Sequence, residues 1–170
     1  MRVDIIDNFL PSYQFQQLYN TLLNYDFPWY YYNTILTPTP KGKKDQFQFV
    51  HTFYSRSTGK MREQMKSIHF PLIEYFIPSL NINKNTLYRI KSNMNPRTFF
   101  HRCGGYHTDD LPCSNTAVYY VNTNNGWTHI KGYGKIKSVE NRMVIFDSSL
   151  LHAGYSCTDE NVRVVLNFNY

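Results

Sequence analysis

Two histidines and one aspartate in the carboxyl-terminal half have the types and the order of a facial metal-binding triad. His107 and Asp109 lie two residues apart in GGYHTDD, and residues i and i+2 of an extended chain point to the same side. His152 follows Asp109 by 43 residues, after the apolar segment RMVIFD. Two imidazoles and one carboxylate on one face of an octahedral metal leave three positions open. The pattern predicts a metal site that substrate, oxygen or water completes.

An arginine further along the chain suits the far end of a metal-chelating ligand. Arg163 lies 11 residues after His152, near the start of VRVVLNFNY. Its guanidinium fork binds a carboxylate through two parallel hydrogen bonds. An arginine buried at the end of an apolar strand would need such an anion. The pattern therefore indicates a chelating ligand with a distal carboxylate.

Taken singly, each of these four residues has an ordinary structural explanation. The chain has six histidines, a His-x-Asp sequence arises often by chance, and an arginine in a terminal strand is usually solvated. Their joint occurrence, in this order within one half of the chain, favours a metal site.

The residues around the candidate site have the texture of short strands. Clusters of Gly, Asn, Asp or Pro separate segments rich in Val, Ile, Tyr and Phe, which is typical of a sandwich or a barrel. These segments are LYRIKSNM, TAVYYVN, WTHIKGYGKIKSV, NRMVIFD and VRVVLNFNY.

The amino-terminal half predicts helices. After a short strand in RVDII, the residues Asp7, Asn8 and Pro11 signal a helix start. One apolar helix face then follows, formed by Phe15, Leu18, Tyr19 and Leu22. A second face, with a kink or break at Pro71, is formed by Met61, Met65, Ile68, Leu72, Ile73 and Phe76.

Residues 85–170 resemble the core of the 2-oxoglutarate and Fe(II)-dependent oxygenases, in the prolyl-hydroxylase-like branch and especially its small phage and marine-microbial members. The resemblance rests on GGYHTDD, TAVYYVN, NRMVIFDSSLLHAGYS and VRVVLNFNY. The amino-terminal DNFLPSYQFQQLYNTLLN is also similar to the helical start of that branch. The resemblance implies a mainly β fold with flanking helices. Its core would be a double-stranded β-helix (jelly roll), with the amino-terminal helices packed on one sheet.

The resemblance also implies an activity and a ligand set. His107, Asp109 and His152 would bind Fe(II). The enzyme would be a dioxygenase that uses 2-oxoglutarate as cosubstrate and O2 to hydroxylate its substrate, with release of succinate and CO2. A peptide or protein side chain, prolyl first, is the substrate that the branch favours.

Three further residues are assigned to the cosubstrate through the same resemblance. Arg163 would pair with the distal carboxylate of 2-oxoglutarate, and Tyr120 would hydrogen-bond to it. Tyr88 is a further candidate contact. The chain departs from the family at the turn NNGWTH, which has one glycine (Gly126), and in an apparent insertion at 157–161.

Two alternative functions remain open at the sequence level. A nucleic-acid oxidative demethylase would carry a second arginine where this chain has Asn169, in the run that starts at Arg163. A non-catalytic jelly-roll binding module would have no need to keep the triad together with Arg163.

The segment 28–54 is predicted to form a hairpin with a basic tip that carries Lys41, Lys43 and Lys44. One interpretation is a solvated loop. The other is a mobile lid in which Trp29 and the tyrosines that follow it, with the lysines, grip an acidic peptide or a nucleic acid, because single strands bind to aromatic side chains and cations.

Length and composition limit the remaining possibilities. The chain has 170 residues, 42% of them hydrophobic, which predicts one globular domain over residues 1–170. There is no apolar run of membrane-spanning length and no signal-peptide pattern, so we expect a cytoplasmic protein without a membrane partner. The 15 Tyr, 12 Phe and two Ala indicate an AT-rich genome, which is consistent with a viral source.

Overall fold

The computed structural model describes residues 2–35, 46–56, 64–83, 85–109 and 113–170. Eleven strands, two α-helices and one 3₁₀-helix (Phe70–Leu72) are assigned within these residues. In chain order the strands and α-helices are β1 (Val3–Ile6), α1 (Ser12–Leu22), β2 (Tyr30–Tyr32), β3 (Gln48–Arg56), β4 (Gln64–Lys66), α2 (Phe76–Ser79), β5 (Arg89–Pro96), β6 (Asn115–Tyr120), β7 (Trp127–Ile130), β8 (Gly134–Lys137), β9 (Arg142–Asp147), β10 (His152–Tyr155) and β11 (Val162–Asn169). None of the helices in this part of the chain is long and apolar enough to cross a membrane.

The strands form two antiparallel sheets. The large sheet has the order β1-β9-β6-β11-β5-β3-β2, with β4 paired to β3, and the small sheet has the order β10-β7-β8. Valines, isoleucines and aromatic residues pack well on pleated surfaces, which accounts for strands in these segments.

Strand β11 lies in the middle of the large sheet, and its side chains alternate between two layers. Val164, Leu166 and Phe168 face the layer that contains the helices. On the opposite face, Val165 and Tyr120 join an apolar cluster that includes Ile130 and Ile136 of the small sheet.

The helices cover one face of the large sheet. Phe15, Leu18 and Leu22 of α1 are buried in the same cluster as the sheet residues. The ring of Phe76 in α2 lies 4.9 Å from the rings of Tyr119 and Phe168. The predicted fold class, a jelly-roll core with helices packed on one sheet, is confirmed.

The predicted second helix over 61–76 is wrong. Gln64–Lys66 is a strand on the edge of β3, Phe70–Leu72 is a 3₁₀-helix, and only Phe76–Ser79 is α-helical. Ile68 is 89% exposed, so the apolar spacing does not form one buried face. Pro71 and Pro78 lack the N–H groups that a continuous helix would use.

The predicted hairpin is confirmed in its paired part. Strands β2 and β3 are antiparallel, with Tyr30 opposite Val50 and Tyr32 opposite Gln48. The basic tip with Lys41, Lys43 and Lys44 lies outside the described residues, as does Met61 of the second predicted helix face.

Candidate metal centre

Backbone pairing brings the two histidines of the triad together. His107 N donates to the carbonyl of His152 at 3.0 Å, and His152 N donates to the carbonyl of His107 at 2.9 Å. Side chains of directly opposed residues project from the same side of an antiparallel pair. The two imidazole rings are accordingly 4.4 Å apart, centre to centre.

Each imidazole uses one nitrogen to fix its orientation. His107 Nδ1 lies 3.2 Å from the carbonyl oxygen of Gly105, and His152 Nδ1 lies 2.9 Å from that of Leu150. A carbonyl oxygen can only accept a hydrogen bond, so Nδ1 is the donor and carries the hydrogen in both rings. The lone pair is then on Nε2, the arrangement that metal-ligating histidines commonly have.

The carboxylate of Asp109 is held by three side chains. Oδ2 accepts hydrogen bonds from Thr116 Oγ1 at 2.6 Å and Asn169 Nδ2 at 2.9 Å. Oδ1 of Asp109 lies 3.6 Å from Nη2 of Arg89. Arg89 also donates a hydrogen bond from Nε to Oδ1 of Asn169. Hydrogen-bonded carboxylate ligands of this kind hold a metal more firmly.

The electrostatics favour the metal-binding protonation states of Asp109 and His152. Burial raises the pKa of Asp109, but the hydrogen bond from Thr116, together with His152 and Arg89, outweighs it and holds the pKa below the ordinary value. Burial, and then the nearby His107, lower the pKa of His152. An ionised carboxylate and a neutral imidazole are the forms that ligate a metal.

The donor atoms of His107, Asp109 and His152 all lie within 4.8 Å of one another. Donor atoms this close to one another could hold one ion. The mixed nitrogen and oxygen set, on one side of an open cavity, suits a facial site for Fe(II). The spacing in the sequence thus correctly predicts that these three side chains come together.

The triad opens into a cavity of about 530 Å³ between the two sheets and the β2–β3 hairpin. That volume is in the range of small-molecule sites. Residues of β3, β5, β10 and β11 line it. Arg163, Val165 and Asn167 do so from alternate positions of β11.

Arg163 is buried in the cavity wall, as expected for an anion-binding arginine. It is 4% exposed. Nε donates to Ser138 Oγ at 3.0 Å and Nη2 donates to Thr128 Oγ1 at 3.2 Å. A guanidinium has five N–H donors and stays charged in proteins, so the remaining donors are left for a ligand.

Tyr120 lies beside this guanidinium, with its ring centre 5.5 Å from Cζ of Arg163. The side chain is fully buried, and its hydroxyl lies near Arg163 and Thr128 without the geometry of a hydrogen bond to any described residue. A buried hydroxyl without a partner costs about 1–3 kcal/mol. An anion bound by Arg163 would supply the missing acceptor.

Gly126, the single glycine of NNGWTH, makes room for this arginine. A Cβ at position 126 would lie 2.8 Å from Arg163 Cδ and 2.8 Å from the carbonyl oxygen of Tyr155. Any side chain here would displace the guanidinium. The turn NNGWTH has a single glycine, and that glycine stands at the position where the packing of Arg163 requires one.

Tyr88 lies far from Arg163 along the strands. Its backbone pairs with Asn169, whereas Arg163 pairs with Asn95 at the opposite end of the β5–β11 ladder. About seven residues of strand separate Tyr88 from Arg163. Its contact with the cosubstrate stays a prediction.

The sequence analysis missed the groups that hold the proposed ligands. Thr116, Asn169 and Arg89 surround Asp109, and Thr128 and Ser138 orient Arg163. Polar residues within otherwise apolar strands were the available signal. Their partners depend on strand register, which the sequence leaves open.

No protein-family model matches the chain, and no curated protein matches it. Solved structures do. A 2OG-Fe(II) oxygenase family oxidoreductase from Burkholderia pseudomallei is similar, with a TM-score of 0.69 and 10% identity, over 98% of this chain and 84% of that one. A prolyl hydroxylase from Trichoplax adhaerens, in complex with a hypoxia inducible factor peptide fragment, has a TM-score of 0.65 and 14% identity, over 99% and 83%.

A viral collagen prolyl hydroxylase from Paramecium Bursaria Chlorella virus-1, in a 2OG complex, is also similar. Its TM-score is 0.59 at 16% identity, over 99% of this chain and 95% of that one. At such identities the likeness concerns the fold. The chain therefore has the fold of the 2OG-Fe(II) oxygenases, prolyl hydroxylases among them.

Proposed function

We propose that this protein is an Fe(II)- and 2-oxoglutarate-dependent dioxygenase that hydroxylates a peptide or protein side chain. The observation that carries the proposal is that one cavity is lined both by the His107–Asp109–His152 triad and by the buried Arg163, whose guanidinium lies beside Tyr120. The triad has the ligand types that suit Fe(II), and Arg163 with Tyr120 has the donors that suit a distal carboxylate.

His107, Asp109 and His152 would hold the iron. When bound, Fe(II) supplies the oxidising chemistry with O2, coupled to decarboxylation of 2-oxoglutarate to succinate and CO2. Thr116 and Asn169 keep the Asp109 carboxylate in one orientation. In the neutral rings, the carbonyl contacts at Nδ1 place the lone pair of each imidazole on Nε2.

Arg163 and Tyr120 would bind the distal carboxylate of the cosubstrate. The guanidinium offers its free N–H donors, and the phenol donates one further hydrogen bond. Ser138 and Thr128 fix the guanidinium from behind. The cosubstrate is thereby held at one end, so that its other end is presented to the triad.

The surroundings exclude water from this end of the cavity. Tyr120, Val165 and Ile130 belong to one buried apolar cluster. A low local dielectric strengthens the pairing between a guanidinium and a carboxylate.

A peptide substrate, prolyl first, is the finer part of the proposal. Its support is the likeness in fold to prolyl hydroxylases, one of which is in complex with a peptide. The demethylase alternative is weaker. A demethylase would carry an arginine at position 169, whereas Asn169 of this chain donates a hydrogen bond to the metal-ligand candidate Asp109.

The experiment is a screen for succinate release with Fe(II), 2-oxoglutarate and O2. Pools of prolyl peptides, other peptides, oligonucleotides and small metabolites are compared with buffer. The proposal predicts a basal rate without substrate and stimulation by a peptide pool. Stimulation only by oligonucleotides would favour the demethylase, and the absence of any 2-oxoglutarate turnover would favour a binding module.

A further inference from the structure

The space between the triad and Arg163 has the length of a short dicarboxylate. A Cβ at position 154 would lie 3.7 Å from Nη1 of Arg163, so the guanidinium lies beside Gly154. Gly154 and His152 are two residues apart on β10, which is about 7 Å of strand. A five-carbon dicarboxylate that is bound to Arg163 at one end therefore reaches the triad with its other end.

Five cationic side chains line the cavity, whereas Asp109 is the single acid among the described residues that do so. The five are Arg89, Lys91, Arg97, Arg102 and Arg163. Arg89 is engaged by Asp109 and Asn169. Arg97 and Arg102 follow the end of β5, which lies beyond the residue opposite Arg163. Of the described cations, Lys91 is therefore the one that remains for a ligand between Arg163 and the triad.

Lys91 lies at the triad end of this space, on the floor that the large sheet forms. On β5 it is two residues from Arg89, the side chain that contacts Asp109. Asn95, the residue opposite Arg163, is four residues away in the other direction. Alternate side chains of a strand point to the same face, and those of β5 line the cavity. A ligand held by Arg163 and the triad consequently passes along Lys91, nearest to the end that meets the triad.

Within the described part of the chain, Lys91 lacks a direct partner. No hydrogen bond or ion pair joins its ammonium to another described residue, although the Asp109 carboxylate acts on it from a distance. The neighbouring amides are occupied by one another, because Asn167 donates to Asn93 and Asn93 donates to Gln48. The ammonium is thus left for a ligand.

Holding an unpartnered ammonium in this place is unfavourable for the free protein. Burial, followed by the nearby Arg89, lowers the pKa of Lys91 to about 8, although Asp109 acts in the opposite direction. An anion beside the ammonium offsets such a penalty. We therefore expect the ligand that meets Lys91 to carry a negative charge there.

We infer that Lys91 binds the 1-carboxylate of 2-oxoglutarate, the carboxylate next to the keto group. This inference rests on the proposed function, which assigns protein donors to the distal carboxylate alone. A 2-oxo acid chelates a metal ion through its keto oxygen and one oxygen of the 1-carboxylate. The second oxygen of that carboxylate keeps its lone pairs and accepts a hydrogen bond from an ammonium. Lys91 and Arg163 thus bind opposite ends of the same dianion.

The test measures binding at pH 7, where Lys91 is charged, to the full chain loaded anaerobically with Fe(II). Two analogues separate the ends of the cosubstrate. 2-Oxopentanoate keeps the 1-carboxylate and has a methyl group in place of the distal carboxylate. 4-Oxopentanoate keeps the keto group and the distal carboxylate and has a methyl group in place of the 1-carboxylate. Calorimetry gives the affinity for 2-oxoglutarate, and competition against it gives the affinities of the analogues.

Substitutions assign each end to its cation. Lys91→Met should weaken binding of 2-oxoglutarate and 2-oxopentanoate by at least about tenfold, the size of one hydrogen bond between charged groups, and leave 4-oxopentanoate unchanged. Arg163→Lys should weaken 2-oxoglutarate and 4-oxopentanoate and leave 2-oxopentanoate unchanged. Lys91→Arg, which keeps a cation, should lose less affinity than Lys91→Met. Lys137→Met, at an exposed position of β8, is the matched control and should bind all three ligands as the parent does.

Unchanged 2-oxoglutarate affinity in Lys91→Met overturns the inference. If peptide-stimulated turnover of that variant then requires more peptide, the lysine serves the primary substrate instead. Weaker binding of 4-oxopentanoate to Lys91→Met also overturns the inference, because the lysine would then serve the distal carboxylate or the fold of the cavity. Failure of the proposed function itself is distinct, since the parent would then bind no 2-oxoglutarate.

Discussion

Tyr120→Phe should separate cosubstrate binding from folding. In the ligand-free protein the Tyr120 hydroxyl is buried without a described partner, and such a group costs about 1–3 kcal/mol. Phenylalanine keeps the ring and removes the hydroxyl. We therefore expect the free energy of unfolding to stay the same or to rise by about 1 kcal/mol.

The affinity for 2-oxoglutarate should change in the opposite direction. A hydrogen bond to a charged group contributes about 1.5–3 kcal/mol, and 1.4 kcal/mol corresponds to tenfold in affinity. Loss of the phenol should weaken 2-oxoglutarate binding by about tenfold or somewhat more. Urea denaturation measures the stability, and anaerobic titration of the Fe(II)-loaded protein measures the affinity.

The adjacent tyrosine provides a matched control. Tyr119 is equally buried, but its hydroxyl donates to Asn141 Oδ1 at 2.9 Å on the helix side of the sheet. Tyr119→Phe should lower the stability by about 1 kcal/mol and leave the 2-oxoglutarate affinity unchanged. The reasoning is refuted if Tyr120→Phe loses stability as Tyr119→Phe does and binds 2-oxoglutarate as the parent does.

Three further predictions concern the same cavity. Arg163→Ala should weaken 2-oxoglutarate binding by more than Tyr120→Phe, and Arg163→Lys should restore it only in part, because a point charge cannot replace the fork; unchanged affinity in Arg163→Ala would exclude β11 as the cosubstrate strand. His107→Ala, Asp109→Ala and Asp109→Glu should each abolish 2-oxoglutarate turnover with little change in circular dichroism, since a misplacement of about 1 Å can cost about 100-fold; full turnover in any of them would reject the triad. Lys91→Met should raise the unfolding free energy at pH 7 by about 3 kcal/mol, because the folded-state pKa of Lys91, about 8, lies below the unfolded value of about 10.4. Below pH 8 the charged lysine destabilises the parent by the full amount. Urea titrations should therefore show the stability advantage of Lys91→Met over the parent disappearing between pH 8 and about 10.4. An advantage that does not change with pH would contradict this prediction.

The sequence predicted the parts of this fold that depend on local pattern. The β-branched and aromatic residues of VRVVLNFNY predicted a strand, which is buried on both faces. The spacing of Phe15, Leu18 and Leu22 predicted a helix with one buried face. The order of His107, Asp109 and His152 predicted a cluster that the strands do bring together. Their role as iron ligands stays a prediction.

The failures have a tertiary cause. Met65 and Ile68 have helical spacing but are exposed, because the chain there pairs with β3 and is then interrupted by prolines. The groups around Asp109 could not be predicted either, since Asn169 is 60 residues away and its orientation depends on the register of β11 with β6.

The central claim is that one cavity holds Fe(II) and 2-oxoglutarate together. Anaerobic visible spectroscopy of the purified chain tests it most directly, because a weak charge-transfer band arises only from the iron–2-oxoglutarate chelate. We predict that the band appears when both are added, is absent in Asp109→Ala, and requires more 2-oxoglutarate in Arg163→Ala. A parent protein that gives no band at saturating Fe(II) and 2-oxoglutarate, or a band that persists in Asp109→Ala, would contradict the account.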